Sequence, residues 1–207
     1  MPPLDEPSPR PARPAFLTGR EAMSIMDAIY SRRAVRDFSA EDVPETALHA
    51  LLYAAVQAPT VVAGDVWGFA IVQDREVLKA LSDHVGRQYN GVGDGEPGAL
   101  PYHADTCFNI FFNAGTLVVI YGNALQTYAQ ADCWLAAENL MLAGCGMGIG
   151  SCIIGLAVDA LNTSEWKTRL AIPPAMMAVA PIILGVPARG SDPVHRPAPN
   201  ILSWTRS

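Results

Sequence analysis

From Leu140 to Val158 the chain reads LMLAGCGMGIGSCIIGLAV, nineteen residues without a charge. A run of this kind has two physical readings. One is a membrane span, since a helix of about 20 apolar residues crosses a bilayer. Against it, Gly144, Gly146, Gly148 and Gly150 stand at alternate positions, and each glycine weakens a helix interior by roughly 1 kcal/mol relative to alanine. The run is also isolated and has no basic flank to orient a span. The sequence therefore predicts the end of a helix, a glycine turn and a buried strand, and no contact with a membrane.

The rest of the chain mixes helix and strand signals. Ser24 followed by Asp27 makes a capping-box-like start. It opens a first helix whose Ile25 and Ile29 share a face and which runs out at Ser31-Arg32-Arg33. Val35 to Phe38 then reads as extended. Pro44 suits the first turn of a second helix. Leu48, Leu51, Leu52, Ala55 and Val56 follow the helical period there, and Pro59 ends it. Trp67 to Val72 predicts a strand, and Arg75 to about Val85 a third helix. Residues 88–102 are a polar, glycine-rich loop. Thr116 to Tyr121 predicts a buried strand, and Gln126 to Ala143 a long helix with Leu135 and Leu142 on its apolar side. Ser151 to Ile154 is a short strand, Ser164 caps a helix stopped by Pro173 and Pro174, and Met177 to Leu184 is the last strand. Without regular strand–helix–strand alternation, these elements predict an α+β fold around one mostly antiparallel or mixed sheet. Residues 1–20, rich in proline, are expected to form a flexible arm, and 21–207 a single domain.

Composition excludes several functions. The net charge of -6 leaves no basic footprint for nucleic acid. Cys107, Cys133, Cys145 and Cys152 form no CxxC pair and sit among apolar or small residues. They read as buried thiols in a reducing compartment, the cytoplasm. His103, Asp105 and Cys107 alternate but lack a second ligand pair for zinc. There is no nucleophile elbow. Glu138 and Asn139, set among apolar residues of the long helix, are expected to be satisfied by internal hydrogen bonds. The hydrophobic share, 50%, points to apolar surface hidden between subunits.

Three segments carry candidate chemistry. SRRAVRDF sets Arg32 and Arg36 four apart with Arg33 beside them. Guanidinium groups grip a phosphate in bidentate fashion, although a basic helix end complementing the helix dipole fits the same residues. Ala58 to Phe69 links a helix to a strand with small residues that let backbone approach a flat ligand. Gly144 to Cys152 is no dinucleotide fingerprint, because the helix precedes the strand, yet its glycines permit close approach to a planar ring.

In this order and spacing the segments resemble the FMN-dependent nitroreductase family over residues 23 to 207. Arg32-Arg33-Ala34-Val35-Arg36-Asp37-Phe38 stands for the family's R-R-S-x-R-x-F. Ala58 to Trp67 has the length of A-P-S-x-x-N-x-Q-P-W. Gly148-Ile149-Gly150-Ser151-Cys152-Ile153-Ile154-Gly155 is similar to G-L-G-S-C-W-I-G. Leu184-Gly185-Val186-Pro187 and Arg196-Pro197 match the strand exit and the later basic residue.

The resemblance implies a sandwich with a central, mostly antiparallel sheet flanked by helices, a homodimer with FMN at its interface, and a C-terminal tail extending over the partner subunit. It implies that Arg32 and Arg196 hold the FMN phosphate, with Arg33 and the backbone at Ala34 beside them. Arg36 would face flavin N1 and O2, where negative charge develops on reduction. Pro59, Thr60, Val61 and Ala63 would line the ring from the partner, and Asn90 would contact it. Gly150, Ser151, Cys152, Ile153, Ile154 and Gly155 would present backbone amides near N5 and O4. No catalytic side chain is implied, because the cofactor carries the chemistry. The expected reaction is ping-pong hydride transfer from NADH or NADPH through N5 to a nitroaromatic, quinone or similar acceptor. The alternatives are a flavin-holding member with little turnover, or a flavin-fragmenting or dehalogenating relative. Ala34, Ala63, Asp65 and Val66 depart from the family's Ser, Asn, Gln and Pro.

Overall fold

The computed structural model describes residues 23–61, 67–89, 109–190 and 194–206. The expected arm at 1–20 and most of the 88–102 loop lie outside them. Helix α1 (Ile25–Ser31) starts as the capping signal predicts. Ser24 Oγ accepts the Asp27 N–H at 3.1 Å and donates to the Asp27 carboxylate at 2.7 Å. Helix α2 (Glu45–Ala55) follows Pro44, which is its cap and not its first helical residue.

Strands β1 (Trp67–Val72), β2 (Thr116–Asn123), β3 (Gly150–Ile153) and β4 (Met176–Gly185) form one sheet in the order β1-β2-β4-β3, with every pair antiparallel. The central strands β2 and β4 are covered on both faces, which is why TLVVIY reads as an unbroken apolar run. Successive residues of β2 serve opposite layers. Val118 and Ile120 pack with α2 and α4 (Ala129–Gly146). Leu117, Val119 and Tyr121 pack with α3 (Arg75–Tyr89), α5 (Ala157–Leu161) and α6 (Ser164–Arg169). The result is a sandwich of helices, sheet and helices.

The uncharged run divides into the last turns of α4, then β3, then the start of α5. Helix α4 ends in a Schellman motif. Gly148 takes φ 76°, its N–H donates to the Cys145 carbonyl at 3.1 Å, and the Ile149 N–H reaches back to the Gly144 carbonyl at 2.8 Å. Among the described residues no helix is long and apolar enough to cross a membrane.

Some expectations need correction. Helix α5 was not expected, because five residues, four of them apolar around Asp159, are too short to show a period. The cap of α6 is Thr163, whose hydroxyl accepts the Trp166 N–H at 3.3 Å, and not Ser164. Helix α3 continues to Tyr89. Leu135 is exposed. The side of α4 turned to the core carries Leu140 among Cys133, Ala136, Ala137 and Gly144, small residues that let the helix lie close to α2 and the sheet.

Between α1 and α2 the chain crosses the open edge of β3. Ala34 bridges Ser151 in parallel and the Val35 N–H donates to the Ser151 carbonyl at 2.9 Å. Phe38 then bridges Pro187, with Ser39 N–H to Val186 O at 2.8 Å and Ala188 N–H to Asp37 O at 3.0 Å. Gly150 and Gly185 are paired across β3 and β4. A Cβ on Gly150 would lie 2.9 Å from Val35 Cβ, and one on Gly185 would lie 2.6 Å from Phe38 Cδ1. The two glycines make the trough in which the arginine segment lies.

Gly150→Ala is expected to destabilise the fold by about 1–3 kcal/mol through overpacking. Gly146→Ala, whose Cβ meets nothing within 4 Å, is expected to be neutral or stabilising by up to ~1 kcal/mol. Urea denaturation compares them. The Tyr121 hydroxyl is buried without a hydrogen-bond partner, and burial pushes its pKa from 10.0 up to about 12. The folded state thus keeps a proton that the unfolded chain releases earlier. Stability present below pH 10 is lost as pH rises through about 12. Tyr121→Phe is expected to leave stability at neutral pH unchanged or slightly raised, since no bond is lost, and to flatten its alkaline fall in denaturation measured across that range.

Candidate cofactor site

Arg32, Arg33, Ala34, Arg36 and Arg196, singled out at the two ends of the domain, line one cavity of about 590 Å³. Asp37 and Arg189 line it too. The first group arrives on the extended segment after α1, the second on the chain leaving β4. The pairing of Phe38 with Pro187 brings the two together.

The cations are held in different ways. Arg32 Nε lies 3.4 Å from the Glu138 carboxylate on α4. Arg33 donates through Nη1 to the Tyr30 and Arg32 carbonyls, both at 2.7 Å, so it closes the end of α1 as a basic helix terminus does. Its Nε is buried and has no partner. A buried donor left unmade costs roughly 1–3 kcal/mol, more when charged, and a phosphate oxygen in this cavity would satisfy it. Arg189 Nε sits 3.0 Å from Asp37 Oδ2. Sequence reasoning missed Arg189, whose place just after the Leu184–Pro187 exit was its only signal. Five guanidinium groups against one lining carboxylate make a site for a compact anion.

Arg36 is exposed, with Cζ 5.8 Å from the centre of the Phe112 ring. Beneath it, burial pushes the Cys152 thiol pKa up. The charge of Arg36, its hydrogen bond to the thiol and the charge of Arg32 pull the other way without cancelling burial. Burial, helped by Asp132, raises Cys133 to about 11. Cys145 is half-buried, its Sγ 3.7 Å from Ser31 Oγ.

On β3 and just past it, Gly150, Ser151, Cys152 and Ile154 are buried, while Ile153 and Gly155 are exposed. The Ile154 N–H turns inward to the Pro181 carbonyl at 2.9 Å, and the Ser151 carbonyl turns outward to Val35. The antiparallel alternation therefore directs the Ile153 N–H to the open edge. Pro59, Thr60 and Val61 lie exposed past the end of α2 and do not line the cavity of their own chain. The Val61 N–H donates to the buried Asp132 at 3.3 Å. Ala63, Asn90, His103, Asp105 and Cys107 lie outside the described residues, among which no group of metal-ligating side chains occurs. Asn139 bonds internally, to the Ala54 carbonyl at 3.3 Å, whereas Glu138 is half-exposed and pairs with Arg32 instead.

Known proteins share this fold. Residues 29–185 match the Nitroreductase family. A putative NADH dehydrogenase/NAD(P)H nitroreductase of Archaeoglobus fulgidus is 26% identical over 169 residues, 79% of this chain and 86% of the relative. Protein DrgA of Synechocystis is 28% identical over 184 residues, 78% of this chain and 82% of the relative. Among solved structures, a nitroreductase with bound FMN from Bacteroides fragilis superimposes with TM-score 0.75 at 25% identity, over 89% of this chain and 99% of the other. Iodotyrosine deiodinase bound to FMN and 3-iodo-L-tyrosine shares the fold at TM-score 0.70 and 23% identity, over 88% of this chain and all (100%) of the other. The fold is that of an FMN-dependent NAD(P)H oxidoreductase. Within that class, the chain belongs to the nitroreductase family.

Thiol reactivity follows thiolate content and access. In native protein at about pH 8, iodoacetamide is expected to label Cys145 well before Cys133 or Cys152, as read by peptide mass spectrometry. Equal labelling of the three would contradict the burial described.

Proposed function

We propose that this chain acts as a homodimeric FMN oxidoreductase, taking hydride from NADH or NADPH and reducing a small organic acceptor such as a nitroaromatic or a quinone. The observation that carries the reading is the cation-lined cavity with its unpartnered Arg33 Nε. In this reading Arg32, Arg33 and Arg196 hold the phosphate. Ala34 contributes backbone where the family has a serine. The chemistry that FMN supplies when bound is two-electron transfer in alternate half-reactions. Arg36 places a fixed cation for the N1 and O2 edge, which raises electron affinity. The backbone of Gly150 to Gly155 serves the N5 and O4 edge, where the outward Ile153 N–H is the available donor. No side chain is assigned a proton transfer.

Exposed apolar surface supports the dimer. Met23, Ile25, Met26, Ile29 and Tyr30 on and before α1, Tyr53 and Val56 at the end of α2, and Trp134 and Leu135 on α4 are all exposed. α1 and α2 both pack on α4, so these residues belong to one side of the molecule. Patches of this kind mark interfaces. In the dimer proposed, Pro59, Thr60, Val61 and Ala63 line the partner's ring. The tail, with Ile201, Leu202 and Trp204 exposed, extends over the partner. Asn90 joins the site from the loop. Residues 21–207 then act as one domain in the cytoplasm.

Arg32→Ala and Arg196→Ala are each expected to weaken FMN binding about tenfold or more, the equivalent of ~1.5–3 kcal/mol for a bond to a charged group. Binding of riboflavin, which lacks the phosphate, is expected to change little. Flavin fluorescence titration reads both, and FMN affinity unaltered in both variants contradicts the phosphate assignment. Arg36→Ala is expected to lower the flavin midpoint potential, checked by spectroelectrochemical titration of the band near about 450 nm.

A further inference from the structure

Unlike Arg32 and Arg189, Arg36 has an anchor that carries no charge. Arg32 is held by Glu138 and Arg189 by Asp37, and each of those carboxylates offsets the charge it holds. Arg36 meets the face of Phe112 instead. An aromatic face attracts a guanidinium through its quadrupole without neutralising it. Such an anchor is needed here, because the other arginines of the same cavity repel Arg36.

Phe112 is itself fixed by an unusual turn. Phe112 and Asn113 take φ 51° and 58°, a conformation unfavourable for a bulky residue and tolerated by asparagine. Surrounding bonds hold the turn. Asn109 Oδ1 accepts the Phe111 N–H at 2.8 Å and its carbonyl accepts the Phe112 N–H at 2.9 Å. Asn109 Nδ2 donates to Asn113 Oδ1 at 3.2 Å. The Ile110 N–H donates to Ser82 Oγ on α3 at 3.1 Å, and Phe111 is fully buried beside it. Strained backbone persists where its surroundings impose it, and it gathers at functional sites.

We propose that Phe112 is a positioning residue that holds the Arg36 guanidinium at the flavin and thereby sets the potential of the bound cofactor. This rests on the assignment of Arg36 to the flavin's N1 and O2 edge. The ring does not touch the reacting atoms and acts through Arg36 alone.

The test is the midpoint potential of FMN-loaded wild type, Phe112→Leu, Arg36→Ala and the double variant. Phe112→Leu is expected to shift the potential downward, in the direction of Arg36→Ala and by less, and to add nothing in the Arg36→Ala background. Phe112→Trp, which keeps an aromatic face, is expected to stay near wild type. If Phe112→Leu does not fold, Phe112→Met, unbranched and without a ring, carries the same expectation. An unchanged potential in the ring-less variant overturns the proposal, as does a drop that is equally large without Arg36, which would mark a merely structural role. Wild type that takes up no FMN, or Arg36→Ala with unchanged potential, overturns the site assignment and the proposal together. A drop for Arg36→Ala alone overturns only the role of Phe112.

Discussion

The site depends on how closely an extended strip of chain can approach the edge of the sheet. Val35 and Phe38 come within contact of the Gly150 and Gly185 backbone, where a Cβ has no room. That approach lets residues 34–39 use the outward-facing groups of β3 and of the β4 exit as hydrogen-bond partners. The same strip covers an edge that would otherwise be open to pairing with other chains. Its alternation then turns Val35 into the protein while Ala34 and Arg36 face outward. The placement of the cations is thus a consequence of backbone packing, and the glycines of the GCGMGIGSC run serve that packing whatever else they face.

Once the strip is seated, its arginines repel one another. Five guanidinium groups share a cavity in a protein whose net charge is -6. Glu138 and Asp37 relieve Arg32 and Arg189, but these pairs are partly exposed and each is worth little, roughly 0–1 kcal/mol. Arg33 is relieved by carbonyls at the end of α1 on one side and by nothing at Nε. A phosphomonoester carries about -1.5 to -2 charge near neutrality and three strong acceptor oxygens, which matches what the cavity lacks.

Much of this was legible in the residues. The glycine-interrupted run could not be one helix, and it divides at Gly148, where φ 76° requires the residue it has. The arginine cluster and Arg196 were identified by residue type and order, and β4 brings them to one place. Three things were not legible. Helix α5 has only five residues, with Asp159 its one polar position, so it is too short for a period to mark it. The inward side of α4 is built largely from alanine, cysteine and glycine beside Leu140 and Met141, so hydrophobic size misdirects toward Leu135. Arg189 and Phe112 act through contacts set by loops, at Asp37 and at Arg36, and loop geometry leaves no periodic trace in sequence.

The position of α1 links assembly to the cofactor in the reading proposed above. It has seven residues, below the length at which a helix is stable by itself, and only Ala28 is buried by its own chain. Its remaining apolar residues face outward. A helix in that state gains its stability from whatever covers those residues, and a second subunit is the cover proposed here. Its C-terminal turn continues directly into Arg32 and Arg33, and the Arg33 guanidinium is held by the Tyr30 and Arg32 carbonyls at its end. Covering α1 would therefore sharpen the grip on the phosphate. A bound phosphate would in turn stiffen α1 and favour the paired state, because coupling between two binding events is reciprocal.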